Sequence, residues 1–267
     1  MHKDFLNIFQ YARTRGFVCD IFTNGQYLFS QRDELQAIAR LKPRAFYISL
    51  YGATANTHDM VTGVKGSFEK TISVVEELHR YGVPVVFNVM IMTVNYHETK
   101  DIINLAQRIG VEYRVNMSLI YTNAGSDSPL QYFVNDKELI KDTFRVVDEN
   151  MFSMDIPMDM EKEAYICGAG LSSLSVSPDG SVFPCVSIKD RLGNIYKNSL
   201  KEIWNGNKRK AFIKKMKWEN TEECTKCLYF QQCPHCPGMS EAETGSVFSC
   251  NTCDRIIAES LYELVEE

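Results

Sequence analysis

The first 120 residues alternate between two spacings of apolar side chains. A spacing of three or four residues predicts helices, whereas short apolar runs bounded by glycine or proline predict strands. The predicted helices cover residues 5–12, 35–41, 67–81 and 98–109, and Ser67 is the predicted N-cap of the third. The predicted strands cover residues 17–23, 45–50, 84–92 and 112–120. This order, with short connections, predicts a parallel sheet with right-handed helical crossovers.

Short polar side chains lie where the predicted strands end. Asn24 follows the first strand, Ser49 is close to the end of the second, and Asn95 follows the third. Ligands of parallel α/β sheets bind beyond the carboxyl ends of the strands, which makes these positions candidates for a binding site. The same residue types are favoured in ordinary turns, so turn formation alone explains each of them equally well.

The last hundred or so residues differ in composition, because eight of the nine cysteines lie there. These eight are Cys167, Cys185, Cys224, Cys227, Cys233, Cys236, Cys250 and Cys253. The turn sequence Pro178-Asp179-Gly180 predicts a hairpin that brings Cys185 back towards Cys167. A single helix is predicted over residues 200–216. Three Cys-x2-Cys pairs then predict metal ligation, because that spacing lets two thiolates converge on one metal centre.

The spacing of the cysteines leaves the identity of the metal open. Eight thiolates suit two four-cysteine zinc sites or two 4Fe-4S clusters. His235 lies between Cys233 and Cys236 and is expected to be a solvated neighbour rather than a ligand. Cys19 lies in the first predicted strand and is expected to be a small buried apolar residue.

Composition narrows the class of protein. Hydrophobic residues make up 45% of the 267 residues, and the formal net charge is −5. An acidic chain has no basic excess for phosphates, so nucleic acid is not an expected partner. The longest mostly apolar run, residues 83–92, is too short to cross a membrane, and the N-terminal residues lack the pattern of a signal peptide. We therefore expect no membrane partner, a cytoplasmic location and reduced thiols.

The cysteine spacing resembles that of the SPASM domain of radical S-adenosylmethionine (SAM) enzymes. The shared pattern is Cys167-x12-Gly180-x4-Cys185, followed by Cys224-x2-Cys227-x5-Cys233-x2-Cys236 and a late cysteine. LGNIYKNSLKEIWN at residues 192–205 is typical of the link between these two sets. The upstream stretches that resemble later strands of a radical SAM partial barrel are IFTNG at 21–25, YISLYGATANTHDMVTGVKGSFEKT at 47–71 and FNVMIMTVNYHE at 87–98.

The resemblance implies an α/β fold in three segments. Residues 1–125 would form a partial parallel (β/α) barrel of radical SAM type whose first strands are missing. Residues 126–166 would be a linker with a bridging helix. Residues 167–267 would form a small, cysteine-rich α+β SPASM domain.

The resemblance also implies two auxiliary 4Fe-4S clusters rather than zinc. Cys224, Cys227, Cys233 and, by preference, Cys250 would hold one cluster. Cys167, Cys185 and Cys236 would hold the other, which either takes Cys253 as its fourth ligand or keeps an open iron site for a substrate thiol or amide. The chain departs from the family pattern in the gap before Cys236, which has two residues rather than three, and in the two competing late cysteines.

By the same resemblance, Ser49 would face SAM, and Asn24, Asn88 and Asn95 are further candidates for that pocket. The Cys-x3-Cys-x2-Cys loop that holds the SAM-binding cluster in this family does not occur in the sequence. We therefore expect an N-terminally truncated chain that does not start the radical reaction by itself. SAM would be a cofactor only when the missing segment is supplied.

Three functions are open on this evidence. The first is a radical SAM/SPASM oxidoreductase of the maturase type, which abstracts a hydrogen atom from a peptide or protein through the 5′-deoxyadenosyl radical. Its partners would be that substrate and a reductant such as flavodoxin or ferredoxin. The second is a non-catalytic iron–sulfur protein that transfers electrons or binds peptides as a scaffold. The third is a zinc-stabilised binding module.

Overall fold

Four short strands in the first part of the chain form one parallel sheet. The computed structural model describes residues 2–122, 125–147 and 164–267. The strands are β1 (Asp20–Thr23), β2 (Ala45–Leu50), β3 (Val85–Met90) and β4 (Glu112–Asn116). They pair in chain order, each parallel to the next, which confirms the predicted α/β class with a parallel sheet.

Helices separate the strands, as the crossovers of a parallel sheet require. They are α1 (Phe5–Thr14), α2 (Gln26–Ser30), α3 (Arg32–Arg40), α4 (Ala55–Thr62), α5 (Ser67–Arg80) and α6 (Thr99–Ile109). The short helices α2 and α4 were not predicted. Ser67 is the first residue of α5 rather than its N-cap, because Gly66 takes the cap position at φ +77° and the Ser67 hydroxyl donates to Asp59 instead.

One face of the sheet carries the apolar core. Alternate residues of β2 and β3 are fully buried, and their register places them opposite each other: Ile48 with Phe87, and Leu50 with Val89. On the other face, Tyr47 and Ser49 of β2 and Asn88 of β3 are half-buried. This side of the sheet, the half-buried face, carries the polar side chains of the two strands.

Strand β1 is shorter than predicted. It begins at Asp20, which pairs with Ala45, the first residue of β2. Since β2 begins at Ala45, residues before Asp20 have no partner in that strand, and β1 therefore begins there. Phe17 and Val18 lie before this pairing and are 63% and 69% exposed. Cys19 is also outside the strand and partly exposed, so the expectation of a buried strand position for it was wrong.

The chain divides into two compact units. As far as the structure describes them, the first comprises residues 2–117 and 142–147, and the second comprises residues 118–141 and 164–267. The second unit contains a small antiparallel sheet in the order β5 (Ser175–Val176), β6 (Ser181–Phe183) and β7 (Gly193–Asn194). Helix α7 (Lys137–Val146) has residues in both units. The second unit also contains α8 (Leu200–Asn205), α9 (Asn207–Lys215), α10 (Glu222–Thr225), α11 (Pro237–Thr244) and α12 (Thr252–Glu266). Much of the predicted bridging segment 126–166 lies outside the described residues, so the three-segment division stays a prediction.

Two local features of the second unit follow from its glycines. The predicted hairpin forms between β5 and β6, and Gly180 closes its turn at φ +78°, where a Cβ atom would lie 2.6 Å from the Tyr196 ring. The single helix predicted over 200–216 is instead two helices. Gly206 interrupts it with an extended backbone, at ψ 157°, and becomes the N-cap residue of α9.

The hairpin turn contributes a stability that depends on pH. The hydroxyls of Ser177 and Ser181 and the Ser181 amide donate to the Asp179 carboxylate and lower its pKa from 3.8 to about 2. Since the folded pKa is the lower one, this contribution is complete above pH 3.8 and is lost as the pH falls towards 2.

We therefore expect the variant Asp179→Asn to lose stability at neutral pH but to lose less on acidification between these two pH values. Urea denaturation of the metal-free protein at a series of pH values measures this difference. The exposed Asp127→Asn variant is the matched control and should follow the unmodified protein. An unchanged acid slope in Asp179→Asn would contradict the prediction.

Candidate metal centres and sheet site

A row of polar side chains crosses the half-buried face of the parallel sheet. Ser49 of β2 pairs with Asn88 of β3, which pairs in turn with Arg114 of β4. Paired residues of neighbouring strands lie roughly 5 Å apart and point to the same face. The structure thus brings together two of the residues predicted for the SAM pocket and adds Arg114. The sequence signal for Arg114 was its alternation with the buried Val115 in a short strand.

Asn95 has a different role from the one expected. Its side chain is 0% exposed, and its Oδ1 accepts from the Met92 amide at 2.7 Å. Its Nδ2 donates to the carbonyls of Tyr51 and Met90 at 3.0 and 2.9 Å. Both amide protons are used within the chain, so Asn95 ties the loop after β3 to the end of β2 and is not available to a ligand.

Two more side chains hold the segment that follows Ser49. Glu98 accepts from the Ala53 amide at 2.6 Å and from the Thr54 hydroxyl at 3.1 Å. His58 accepts from the Tyr51 amide through Nδ1 at 3.2 Å. Burial lowers the pKa of His58, which favours the neutral ring that this bond requires. The carboxyl end of β2 is therefore fixed by three buried side chains from other segments.

Asn24 lies beyond the end of β1. Its side chain is exposed, and Oδ1 accepts from the Gln26 amide at 3.2 Å, which is an ordinary turn contact. The Thr71 hydroxyl of α5 donates to its carbonyl at 3.1 Å and anchors the turn. Asn24 is thus at the predicted sheet edge, with part of its side chain engaged locally.

Four of the predicted metal ligands line one cavity of the second unit. The cavity measures about 260 Å³, and its thiols belong to Cys224, Cys227, Cys233 and Cys250. Burial, together with the neighbouring charges of Cys250 and Cys227, raises the pKa of Cys224 to about 11. Burial likewise raises the pKa of Cys233 to about 12. These four thiols form the first cysteine group.

The second cysteine group is the other predicted ligand set, which consists of Cys167, Cys185 and Cys236. Cys167 and Cys185 pack against the same apolar cluster, and the Gly170 amide donates to the Pro184 carbonyl at 3.1 Å. Cys236 is close enough to Cys185 for the two to interact electrostatically, and burial raises its pKa to about 11. Gly238 permits this approach, since a Cβ atom there would lie 2.5 Å from the Cβ of Ser187.

Cys253 lies apart from the cavity that the first group lines. It is 3% exposed, and burial raises its pKa to about 12, with smaller effects from the charges of Asp254 and Glu243. Within each of the two groups, by contrast, neighbouring thiols raise one another's pKa.

His235 is not the solvated residue that the sequence suggested. It is 5% exposed and lines the cavity of the first cysteine group. Its Nε2 atom has no hydrogen-bond partner among the described residues. Asp254 is buried nearby: its Oδ2 accepts from the Cys236 amide at 2.6 Å, while Oδ1 has no partner within the same described ranges.

The first cysteine group can supply four thiolates to one metal centre. Across residues 2–122, 125–147 and 164–267, no three Cys, His, Asp or Glu side chains converge closely enough to hold one metal ion. The four thiols nevertheless face a common cavity, and the His235 nitrogen beside them is an unpaired polar atom. Four cysteines are a ligand set of both 4Fe-4S clusters and structural zinc sites.

A parallel α/β sheet followed by a small unit with grouped thiols defines a cluster-binding α/β protein. The family model of the radical SAM superfamily matches residues 1–106, and that of the iron–sulfur cluster-binding SPASM domain matches residues 167–228. Together the two models cover well over half of the chain. The chain therefore belongs to the radical SAM superfamily and carries a SPASM domain, which implies iron–sulfur clusters and SAM as its cofactors.

The chain is similar to several known proteins of this family. AdoMet-dependent heme synthase of Methanosarcina barkeri is 27% identical, over 91% of this chain and 75% of its own length. The subtilosin biosynthesis protein AlbA of Bacillus subtilis is 25% identical, over 77% of this chain and 46% of its own length. PqqA peptide cyclase of Rhizobium meliloti is 24% identical, over 76% of this chain and 57% of its own length.

A solved structure shows the same fold. Streptococcus suis SuiB bound to the precursor peptide SuiA matches with a TM-score of 0.69 and 13% identity. The match covers 96% of this chain and 62% of that protein. Compared with these proteins, the chain spans between about half and three quarters of the full length.

In the described part of the chain, no helix combines the length and the apolar composition that a membrane span requires.

We expect the variant Asn95→Ala to destabilise the first unit, because it removes three buried hydrogen bonds and leaves their backbone partners unpaired. The expected loss in the free energy of unfolding is about 2–4 kcal/mol, from ~1 kcal/mol or more for each group left unsatisfied. Urea denaturation of the metal-free protein measures it. The matched control, Asn24→Ala, removes one exposed contact and should cost less than about 1 kcal/mol. Equal losses in the two variants would refute the role assigned to Asn95.

Proposed function

We propose that this chain is the sheet and SPASM part of an oxidoreductase that modifies a peptide or protein by hydrogen-atom abstraction, with SAM and two 4Fe-4S clusters. The observation that carries this proposal is the first cysteine group, in which four thiols share a cavity that suits a cluster. It occurs in a chain whose residues 1–106 match the radical SAM superfamily. Flavodoxin or ferredoxin is the proposed class of reductant.

The two cysteine groups are the proposed ligand sets. Cys224, Cys227, Cys233 and Cys250 would hold one cluster, as their common cavity supports. An iron–sulfur cluster supplies one-electron transfer, or an iron site that binds substrate. The residues around it exclude water from one side, since Trp218 and Phe230 line the same cavity and pack edge to face.

The second cysteine group offers three thiols for the other cluster. Cys253 is buried, and the charges that act on its thiol come from Asp254 and Glu243. We therefore favour three-thiol ligation by Cys167, Cys185 and Cys236, which leaves one iron open to a substrate thiol or amide. This choice gives the second cluster a binding role and the first an electron-transfer role.

The polar row on the sheet is the proposed SAM contact. Ser49 and Asn88 present short hydrogen-bonding groups, and Arg114 adds a cation suited to the carboxylate of SAM. Asn24 is retained as a contact at the edge of this site. Asn95, Glu98 and His58 act as positioning residues, because they fix the segment after Ser49 and do not face a ligand.

The proposed substrate is a peptide or protein. AlbA and PqqA peptide cyclase support this by what their names say of them, as does the peptide-bound state of SuiB. A haem precursor is the second candidate substrate, because the heme synthase of M. barkeri matches 91% of the chain. Mass spectrometry of a peptide encoded beside the gene, and absorption spectroscopy of a porphyrin substrate, would distinguish the two.

The two other functions differ from this proposal in measurable ways. A zinc-stabilised binding module would be colourless and would contain zinc instead of iron. A non-catalytic iron–sulfur protein would hold both clusters, and its coding sequence would begin at Met1 with its own ribosome-binding site. If the coding sequence instead continues upstream through a Cys-x3-Cys-x2-Cys loop, the longer chain should cleave SAM.

The ligand sets predict which cysteines control iron content. After anaerobic reconstitution we expect about eight irons per chain and no stoichiometric zinc. Cys236→Ala should lower the iron content by about four, whereas Cys253→Ala should leave it unchanged. Iron, sulfide and zinc analysis with an absorption spectrum measures this. A loss of four irons in Cys253→Ala would show that this residue is a ligand.

The 267 residues by themselves should not cleave SAM, because they lack the Cys-x3-Cys-x2-Cys loop whose cluster would deliver the electron to the sulfonium. We expect no 5′-deoxyadenosine from the reconstituted, dithionite-reduced chain in the presence of SAM. Liquid chromatography measures the product, and a complete radical SAM enzyme in the same buffer is the control. Formation of one equivalent per chain would overturn this part of the proposal.

A further inference from the structure

The cavity of the first cysteine group contains a fifth potential metal ligand. His235 is buried, and its ring lines the cavity together with the four thiols. Its Nε2 atom has no partner among the described residues, which is costly for a buried polar atom. A group that occupies the cavity could bond to this nitrogen and remove that cost. Without such a group, the unpaired nitrogen destabilises the fold.

The ring of His235 is held in a fixed orientation. It lies 5.4 Å from the Trp218 ring, measured between centroids, at an angle of 54°. The Val247 backbone is a hydrogen-bonding neighbour of the ring. A neutral imidazole keeps a lone pair on one of its nitrogens, and a backbone group beside the other nitrogen is a common support for a metal-bound histidine.

Cys250 is the thiol of this cavity that a second ligand could replace. Cys224, Cys227 and Cys233 belong to one continuous ligand segment, whereas Cys250 comes from the loop before α12. Cys250 is exposed, and its Sγ donates weakly to the Asn251 carbonyl at 3.6 Å. The Asp254 carboxylate acts on both Cys250 and His235, so the two residues share a neighbour.

We propose that His235 is a second ligand for the iron that Cys250 holds, so that the cavity keeps a four-iron cluster when the Cys250 thiol is removed. This inference rests on the proposed function, since it requires a cluster in the cavity. It assigns the exposed Cys250 as the exchangeable ligand and the buried imidazole as its replacement. Imidazole is a neutral ligand, so the exchange should raise the reduction potential of the cluster.

The test compares Cys250→Ala, His235→Gln and the double variant of the full chain after anaerobic reconstitution with iron and sulfide. Cys250→Ala should retain about eight irons per chain, and its reduced cluster should show a nitrogen coupling in pulsed EPR. That coupling should change when the protein is labelled with histidine that carries ¹⁵N in the imidazole ring only, since the backbone nitrogen of His235 also lies near a cluster ligand. The double variant should lose about one iron and show the EPR signal of an oxidised 3Fe-4S cluster.

The matched control is Cys227→Ala, which removes the other exposed thiol of the same cavity. It should lose iron whether or not His235 is present, because no second donor is assigned to that position. A 3Fe-4S signal in Cys250→Ala itself, or the absence of histidine nitrogen coupling there, would overturn the inference. These readings do not depend on the folding of His235→Gln. Zinc or no metal in the unmodified chain would instead refute the proposed function, and this inference with it.

Discussion

The second unit depends on placing thiols where they cannot ionise without a metal. Burial, with a smaller effect of neighbouring thiols and carboxylates, raises the pKa of Cys224, Cys233 and Cys236 to between about 11 and 12. At neutral pH such thiols stay protonated unless a bound cation stabilises the thiolate. Metal binding by these thiols is therefore coupled to the release of their protons. The strands of this unit have only two or three residues, and α10 has four.

The first unit is held together by apolar packing and by buried hydrogen bonds rather than by a metal. Its sheet buries one face completely, and Phe46, Ile48 and Phe87 are among its fully buried side chains. The loops at the carboxyl edge are then fixed by buried polar groups such as Asn95 and Glu98, whose partners are backbone atoms. The half-buried face carries Ser49, Asn88 and Arg114 in one row, beside a carboxyl edge that these buried groups hold in place.

The sequence allowed the centre of the sheet to be predicted well, because its strands are apolar on alternate positions and bounded by glycine or proline. Strand β2 has the predicted bounds, and β3 and β4 lie within theirs. The edge was harder, since the length of β1 is set by its pairing with β2 rather than by its own apolar residues. Helix α4 was missed because its sequence, ANTHDMVT, has few apolar residues, and it is held by the Thr54 cap instead.

The spacing of the eight cysteines does not by itself divide them into two groups, whereas the family resemblance assigns Cys233 and Cys236 to different groups. In the structure Cys233 lines the first cavity and Cys236 lies near Cys185, although only two residues separate them. Cys236 is the N-cap residue of α11, and its amide donates to Asp254, so the chain changes direction between the two. His235 lies in this turn.

The same turn gives His235 two functions. Its backbone amide donates to the Cys233 sulfur, and its ring lines the first cavity. An amide-to-thiolate bond lowers the cost of holding negative charge on sulfur. A residue whose backbone supports one ligand is thereby fixed with its side chain at the same centre. The cysteine spacing could not show that this histidine is buried, because its burial depends on neighbours that the fold brings to it, Trp218 and the Val247 backbone.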